Sequence, residues 1–232
     1  MDRLAEIHLL SDGKLAAEEF VVLAAAVHPQ VDYIHLREKM LSAHELYHLA
    51  LTLLNAGVPA CKLIINDRLD VAMAVGAAGV QLAGHSLSAG AARLAAGCAL
   101  RLGSSVHSAS ESIDAASQGA DYCLFGHVYP STSKPGLKAR GLTQLKEAVL
   151  AAAGTPVIAL GGITPHNAPH VLQTGAAGIA VMSGICGAAD PLSAAQAYRN
   201  AVREAALKEV REHESDSQRQ SRNVQRELPD SS

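Results

Sequence analysis

Eight short apolar runs, spaced along almost the whole chain, constrain the fold more than any other feature of the sequence. They are IHLLS (7–11), YIHLRE (33–38), KLIIND (62–67), GVQLA (79–83), LGSSVH (102–107), YCLFGHV (122–128), PVIALGG (156–162) and GIAVMSG (178–184). Ala- and Leu-rich stretches with helical patterns lie between many of them. Near-continuous apolar strands are typical of parallel sheets buried on both faces. Eight strands alternating with helices in 232 residues predict an α/β fold, a single-domain (β/α)8 TIM barrel. An open, doubly wound sheet is the alternative, and it needs a reversal of strand order that a sequence does not show.

The composition changes after about residue 207. The last segment, 208–232, reads KEVREHESDSQRQSRNVQRELPDSS, which is charged, rich in Gln and Ser, and poor in apolar residues. Segments of this kind bury too little apolar surface to repay the entropy of folding. We therefore expect a barrel domain at 1–207 and a disordered tail at 208–232, with a partner-binding tail as the alternative.

The charge and hydropathy of the chain exclude several classes of partner. The formal net charge is −3, which does not suit a nucleic-acid groove or an anionic membrane surface. No apolar run reaches membrane-spanning length, and the N-terminus lacks the pattern of a secretory signal. The sequence predicts a soluble, cytoplasmic protein that binds a small molecule, without nucleic acid or membrane partners, and it leaves a homo-oligomer open.

Polar side chains collect at the C-terminal ends of the predicted strands, where barrels of this type carry their chemistry. These residues are Arg37, Asn66, Asp67, Gln81 and His107. Arg37 could hold a carboxylate or phosphate, or form a rim salt bridge. Asn66 and Asp67 could orient a ligand or hold a metal, and His107 could orient a group or cap a helix. No second carboxylate ends the fourth or fifth strand, so the sequence predicts no metal and no cofactor.

Two glycine turns follow the last two strands, in ALGGIT (159–164) and AVMSGI (180–185). Glycine lets backbone N–H groups approach an anion, and barrels often bind a phosphate after strands seven and eight. Two such turns in equivalent places favour phosphate binding over simple tight turns. The residues concerned are Gly161, Gly162, Ser183 and Gly184, with Lys134 from the loop STSK (131–134) as a further phosphate ligand.

His127 directly follows a buried apolar strand and is the candidate acid/base. Imidazole titrates near neutral pH, so it can take up and return a proton. A satisfied structural histidine is the alternative at this position.

Several segments together resemble the thiamine-phosphate synthase/TenI superfamily, over roughly residues 6–205. They are IHLREK, LIIND, GVQL, SVHS, GADYCLFGHVYPSTSKPGLKARG, PVIALGGI and GIAVMSGI. The resemblance implies one of two activities. Synthases join a thiazole phosphate to a pyrimidine diphosphate with magnesium, whereas thiazole tautomerases, the TenI branch, aromatise a thiazole phosphate carboxylate without a metal.

Four positions separate the two branches. Synthases typically carry Gln at the position of His35, and G-[VI]-H-[LV]-G-Q-x-D over 79–86, with the Asp binding magnesium. This chain has Gln81 in place of the His and Ser86 in place of the Asp. Synthases carry Pro where this chain has His127, and the TenI branch has FGHV and SVHS as they stand here.

These differences predict an isomerase, a thiazole tautomerase of thiamine biosynthesis. It would aromatise 2-(2-carboxy-4-methylthiazol-5(2H)-ylidene)ethyl phosphate by a 1,3-proton shift. The resemblance implies that His127 moves the proton; we further expect Arg37 to hold the carboxylate, and Asn66, Gln81 and His107 to contribute to substrate binding. The alternatives are a magnesium-dependent thiamine-phosphate synthase and a non-catalytic regulatory barrel that binds a thiazole phosphate.

Overall fold

In the computed structural model, residues 4–131, 133 and 136–226 are described, with 209 and 212–226 described by their backbone only. The strands are β1 (Glu6–Leu10), β2 (Tyr33–Leu36), β3 (Leu63–Asn66), β4 (Gly79–Leu82), β5 (Arg101–Val106), β6 (Tyr122–Gly126), β7 (Val157–Leu160) and β8 (Gly178–Val181). The helices are α1 (Ala17–Val27), α2 (Ala43–Asn55), α3 (Leu69–Ala74), α4 (Ala89–Ala96), α5 (Ala109–Ser117), α6 (Gly141–Ala151), α7 (Ala168–Leu172), α8 (Ser183–Cys186) and α9 (Pro191–Arg226). Short 3₁₀ turns lie at His28–Gln30 and Ala60–Lys62.

The eight strands form one closed parallel barrel in sequential order. Each strand pairs with the next, and β1 also pairs with β8, where Glu6 lies opposite Gly178. A doubly wound sheet has two edges, whereas this sheet has none. The structure therefore confirms the predicted (β/α)8 TIM barrel.

Alternation along the strands divides the apolar residues into two layers. On β1, Ile7 and Leu9 point outward into the large core between the barrel and the helices. Leu10 points inward, where it packs in a small cluster with residues of three other strands. Burying one such side chain stabilises the fold by about 1.5–3 kcal/mol, so the outer core carries most of the apolar stabilisation. The inner cluster consists of Leu10, Tyr122, Leu124, Ile158 and Ala180.

The start of α2 is fixed by a capping box. The backbone N–H of Ser42 donates to Glu45 Oε2 at 2.8 Å, and the backbone N–H of Glu45 donates to Ser42 Oγ at 3.3 Å. The two side chains thus satisfy two backbone groups that lack a helical partner.

The last helix extends beyond the predicted barrel domain. Helix α9 continues through Arg226, and so includes most of the charged segment 208–232. The division into a barrel at 1–207 and a disordered tail stays a prediction. Within the described part of the chain, no helix is both long enough and apolar enough to cross a membrane.

Candidate functional site at the C-terminal mouth of the barrel

The residues that follow the strands at their C-terminal ends form the face that we call the mouth. Asn66 is the last residue of β3 and lies in register with Gln81 of β4, which lies in register with Gly103 of β5. Arg37 follows the end of β2, and its backbone N–H donates to the buried Ser11 Oγ at 2.8 Å. This bond joins the chain after β2 to the chain after β1, so Arg37 lies at the mouth, and its binding of a ligand stays a prediction.

Asp67 is held at the mouth by contacts from the end of β4. Ser86 Oγ donates to Asp67 Oδ1 at 2.5 Å, and His85 Nε2 lies 3.5 Å from Asp67 Oδ2. Ser86 Oγ also accepts from the backbone N–H of Ala83 at 2.9 Å, which fixes the hydroxyl. About one third of the Asp67 side chain is exposed. Asp67 is therefore an oriented carboxylate that a ligand can reach.

The sequence predicts Asn66 as a substrate-binding residue and leaves Asp67 open between orienting a ligand and holding a metal. The dipeptide Asn66–Asp67 at the end of an apolar strand was the available signal. The hydrogen bond between Ser86 and Asp67 requires β3 and β4 to lie side by side, and no local sequence pattern records that pairing.

His127 lies against the glycine turn that follows β7. A Cβ added to Gly161 would lie 2.3 Å from the His127 Cβ, and Gly161 has φ of +103°. The backbone N–H groups of Val128 and Tyr129 donate to the carbonyls of Leu160 and Gly161, each at 2.9 Å. Glycine is therefore required here by both conformation and space. The turn and His127 form one surface of the mouth.

The chain after His127 is fastened by Arg140. The guanidinium Nε of Arg140 donates to the Gly126 carbonyl at 2.9 Å, and its backbone N–H donates to the His127 carbonyl at 3.0 Å. The His127 ring is half-buried, and its Nε2 lies 3.3 Å from the Leu137 carbonyl. Lys134, the predicted phosphate ligand of this loop, lies outside the described residues.

The second glycine turn has a packing explanation. Helix α8 begins at Ser183, and a Cβ on Gly184 would lie 2.2 Å from the Tyr198 hydroxyl. That hydroxyl donates to the Ile163 carbonyl at 2.9 Å, so α9 approaches the turn after β7 through this site. Gly184 is needed for this approach, and phosphate binding by Ser183 and Gly184 stays a prediction.

In the first turn, Gly162 is likewise crowded. A Cβ there would lie 2.5 Å from the Pro130 carbonyl oxygen, and φ is +64°. The Gly162 carbonyl accepts from Asn167 Nδ2 at 3.1 Å. The turn is thus rigidly built, whereas its binding of a phosphate stays a prediction.

Two predicted binding residues sit in different surroundings from those expected. His107 is exposed, and its backbone N–H and Nδ1 lie 2.7 Å and 3.1 Å from Glu111 Oε2. The cap of α5 is the neighbouring Ser108, whose hydroxyl accepts from the backbone N–H of Glu111 at 3.2 Å, so His107 does not itself cap the helix. Gln81 is 2% exposed and lies inside the barrel, with Nε2 donating to Ser105 Oγ at 3.1 Å. Substrate binding by either residue stays a prediction.

Comparisons with known proteins identify the family. The chain matches the family model TMP-TENI, thiamine monophosphate synthase, over residues 7–185. It is 36% identical over 211 residues to a thiamine-phosphate synthase of Salinispora arenicola, covering 87% of this chain and 99% of that one. It is 42% identical over 172 residues to a thiamine-phosphate synthase of Chlorobium luteolum, covering 70% and 77%.

A solved structure agrees with these sequence matches. Thiamine phosphate pyrophosphorylase from Pyrococcus furiosus superposes with a TM-score of 0.74 at 32% identity, over 87% of this chain and 96% of that one. A 3-hexulose-6-phosphate synthase superposes with a TM-score of 0.69 at 22% identity, which shows the shared barrel alone.

The tautomerase prediction is contradicted by these relatives. It rested on His35, Gln81, Ser86 and His127, whereas relatives matched over most of the chain are named synthases. The isomerase class and the proton-shift role of His127 depended on that prediction and fall with it. The chain belongs to the thiamine monophosphate synthase family.

Proposed function

We propose that this chain is a thiamine-phosphate synthase, a transferase that joins a thiazole phosphate to hydroxymethylpyrimidine diphosphate. In this reaction a C–N bond to the thiazole forms while the C–O bond to diphosphate breaks. The observation that carries the proposal is the Asp67 carboxylate, oriented by Ser86 at the mouth of a barrel whose relatives are named for this activity.

The side-chain oxygens of Asp67 and Ser86 fit the ligand preference of magnesium. This ion prefers oxygen ligands, and proteins often bind it through one or two carboxylates together with substrate phosphates. No three His, Cys, Asp or Glu side chains of the described residues gather into a metal-binding group. Asp67 and Ser86 would therefore hold magnesium as a one-carboxylate site. When bound, magnesium neutralises negative charge on the diphosphate leaving group. The expectation of no metal rested on the missing second carboxylate as well as on the tautomerase prediction, and the one-carboxylate site proposed here replaces it.

The remaining residues of the mouth bind and orient the two substrates. Arg37 offers a guanidinium that can pair with diphosphate oxygens in a bidentate manner. The turn at Gly161–Gly162 takes the thiazole phosphate through its backbone N–H groups. His127, packed against this turn, donates a hydrogen bond to the same phosphate. The coupling needs no net proton transfer by His127, because carbon passes from oxygen to nitrogen.

Both substrates carry phosphate groups, whose charge keeps them from crossing membranes, so we place the enzyme in the cytoplasm. No macromolecular partner is proposed beside the two small-molecule substrates and magnesium, and self-association stays a prediction.

A pair of assays tests the activity. The purified protein is incubated with thiazole phosphate, hydroxymethylpyrimidine diphosphate and magnesium, and thiamine phosphate is measured by chromatography. We expect magnesium-dependent product and its loss on chelation. Asp67→Asn should lower turnover at least about 10–100-fold, the usual cost of losing even an indirect metal contact. An inactive mixture, with isomerisation of the carboxylated thiazole phosphate visible by NMR in the same preparation, would refute the proposal.

A gain of carboxylate gives a sharper test. Ser86→Asp restores the acid of the synthase motif beside Asp67 and should lower the magnesium concentration needed for half-maximal rate. Ser88→Asp is the matched control, because Ser88 caps α4 and aspartate caps a helix equally well. It adds the same charge two residues away and should leave the magnesium requirement unchanged. An equal shift in both variants would mean that charge alone, and not the place of Ser86, sets the affinity.

A further inference from the structure

A chain of buried polar side chains crosses the interior of the barrel below the mouth. Glu6 Oε2 lies 3.0 Å from His8 Nε2, and His8 Nδ1 lies 2.8 Å from His35 Nε2. Arg101 Nη2 donates to the same Glu6 oxygen at 2.9 Å. His8 is fully buried and His35 is 1% exposed. This buried polar chain, formed by Arg101, Glu6, His8 and His35, therefore has few possible arrangements of its protons, and each can be tested against the distances.

The first link is a carboxylate. Burial raises the pKa of Glu6, but the hydrogen bond from His8 and the charge of Arg101 outweigh it and hold this pKa at about 2. The guanidinium of Arg101 is itself held in place, 4.6 Å and 4.5 Å above the rings of Tyr33 and Tyr122. Glu6 is thus ionised near neutral pH, and an ionised carboxylate only accepts hydrogen bonds.

The two histidines are neutral. Burial lowers the pKa of His8 even though Glu6 acts in the opposite direction. Burial also lowers the pKa of His35, and the nearby His8 and Arg101 lower it further. A neutral imidazole carries one N–H, so each ring donates one hydrogen bond and accepts at the other nitrogen.

These facts leave one order of protons. Glu6 accepts, so His8 must carry its proton on Nε2. His8 Nδ1 then accepts, so His35 must carry its proton on Nε2. His35 Nδ1 is left with a bare lone pair. That atom has no hydrogen-bond partner among the described residues, although it is fully enclosed.

We infer that Glu6 is a positioning residue, which acts through His8 to make His35 Nδ1 a fixed hydrogen-bond acceptor at the floor of the mouth. His35 lies on the inward face of β2, two residues before Arg37, and therefore directly beneath it in the barrel. The atom accepts an N–H or O–H group of a bound substrate.

The floor around His35 contains further groups able to bind. The Gln81 Oε1 atom and the Tyr122 hydroxyl are also buried without a partner among the described residues. Both lie within 2.4 Å of the point where a Cβ on Gly103 would stand, so the glycine makes room for them. Buried polar groups are nearly always hydrogen-bonded in folded proteins, by protein, water or ligand. With His35 Nδ1 and Arg101 Nη1, four such atoms lie in the barrel interior, where a polar ligand or buried water can satisfy them.

Nitrogen NMR on the full-length protein, labelled with ¹⁵N at histidine, tests the proton order without substrate. We expect the His35 Nδ1 signal at the shift of an unprotonated imidazole nitrogen, and Nε2 at that of a protonated one. The reverse pattern, or a doubly protonated His35 at neutral pH, would overturn the inference. This result does not depend on any enzymatic activity, so it separates failure of the inference from failure of the proposed synthase.

Two variants test whether Glu6 sets the order. Glu6→Leu with Arg101→Met removes acceptor and charge together, which avoids leaving one buried ion unpaired. His8 is then free to reverse, and the His35 Nδ1 signal should move towards the protonated shift. Glu6→Gln retains an acceptor, because Arg101 holds the amide oxygen in place, and it should keep the wild-type pattern. An unchanged spectrum in the double variant would show that Glu6 has no positioning role.

The exposed pair of His107 and Glu111 supplies the matched surface control. Glu111→Leu removes the same kind of contact and should leave the His35 signals unchanged. Finally, thiazole phosphate and hydroxymethylpyrimidine diphosphate are added separately, a step that rests on the proposed function. A shift of His35 Nδ1 with one of them supports substrate binding at this atom. No shift with either substrate, when binding is confirmed by calorimetry, refutes it and leaves the proton order standing.

Discussion

Replacing Gly161 by Ala should destabilise the fold through the contact between the turn and His127. The alanine Cβ would lie 2.3 Å from the His127 Cβ and 2.8 Å from its Cα. The second atom belongs to the backbone, so no side-chain rotation relieves the clash. The segment after His127 cannot swing away freely either, because Val128 and Tyr129 bond to the end of β7.

The magnitude follows from two separate costs. A left-handed backbone conformation costs a residue with a Cβ about 1–2 kcal/mol, and Gly161 has φ of +103°. Forcing an extra carbon into a packed contact costs about 1–3 kcal/mol. Together they predict a loss of about 2–5 kcal/mol in the free energy of unfolding. For a chain of this size each kcal/mol lowers Tm by about 2–4 °C.

Gly154 provides the control that separates the two costs. It has φ of +91°, and a Cβ there meets nothing within 4 Å. Gly154→Ala should therefore show the conformational cost alone. The assay is urea unfolding of the two variants and the wild type, followed by circular dichroism. An equal loss in the free energy of unfolding for both alanine variants would mean that the close contact of residue 161 with His127 adds no cost. That result would refute the rigid packing of this turn against His127.

Two further predictions concern the buried polar chain. The pKa values of His8 and His35 are lower in the folded state than in the unfolded state, so the unfolded state binds more protons below pH 6.5. The free energy of unfolding should therefore fall as the pH drops below about 6.5. The slope is up to about 1.4 kcal/mol per pH unit for each histidine. Glu6 adds a second loss of stability between pH 4.5 and about 2. Urea unfolding from pH 8 to 4 tests the histidines, and unfolding from pH 4.5 to 2 tests Glu6; a free energy of unfolding that does not decline in its window would contradict the assignment concerned. Arg101→Met alone leaves Glu6 buried without its cation and should cost about 3–5 kcal/mol. Adding Glu6→Leu should recover much of that loss, and a second substitution that only adds to the first would contradict the pairing.

The barrel could be predicted because its signal is local and repeated. Each strand is an apolar run bounded by turn residues, and eight repetitions fix the fold even where single boundaries are inexact. The predicted ends of strands are wrong where a tertiary contact determines the end of the strand. The run YIHLRE predicts a strand over 33–38, but β2 ends at Leu36. Beyond it the Arg37 N–H bonds to the Ser11 hydroxyl, and sequence patterns carry no record of that contact.

The site was predictable only in part, for a related reason. The contact of His107 with Glu111 joins residues only four positions apart, so it is local in the sequence. Arg101 and Glu6 are 95 positions apart and meet across the barrel. Their contact depends on strand register and on closure between β1 and β8. Gln81 is predicted at the mouth but lies inside the barrel. The alternation along a strand indicates which side chains point inward, and it does not indicate how deep in the barrel each one lies.

The tautomerase prediction rested on four positions, and part of its error came from treating the substitution at Ser86 as the loss of a chemical capability. Ser86 replaces a metal-binding acid of the synthase motif, and this difference was taken to exclude magnesium. In the folded chain the Ser86 hydroxyl donates to Asp67 and fixes the remaining carboxylate. A magnesium ion that shares substrate phosphates needs only one protein carboxylate, so a second acid adjusts affinity without being indispensable. A missing ligand therefore excludes a reaction only when neither the remaining protein groups nor the substrate can supply its place. If the proposed synthase activity holds, this chain and its Ser86→Asp variant should catalyse the same reaction and differ only in the magnesium concentration they require.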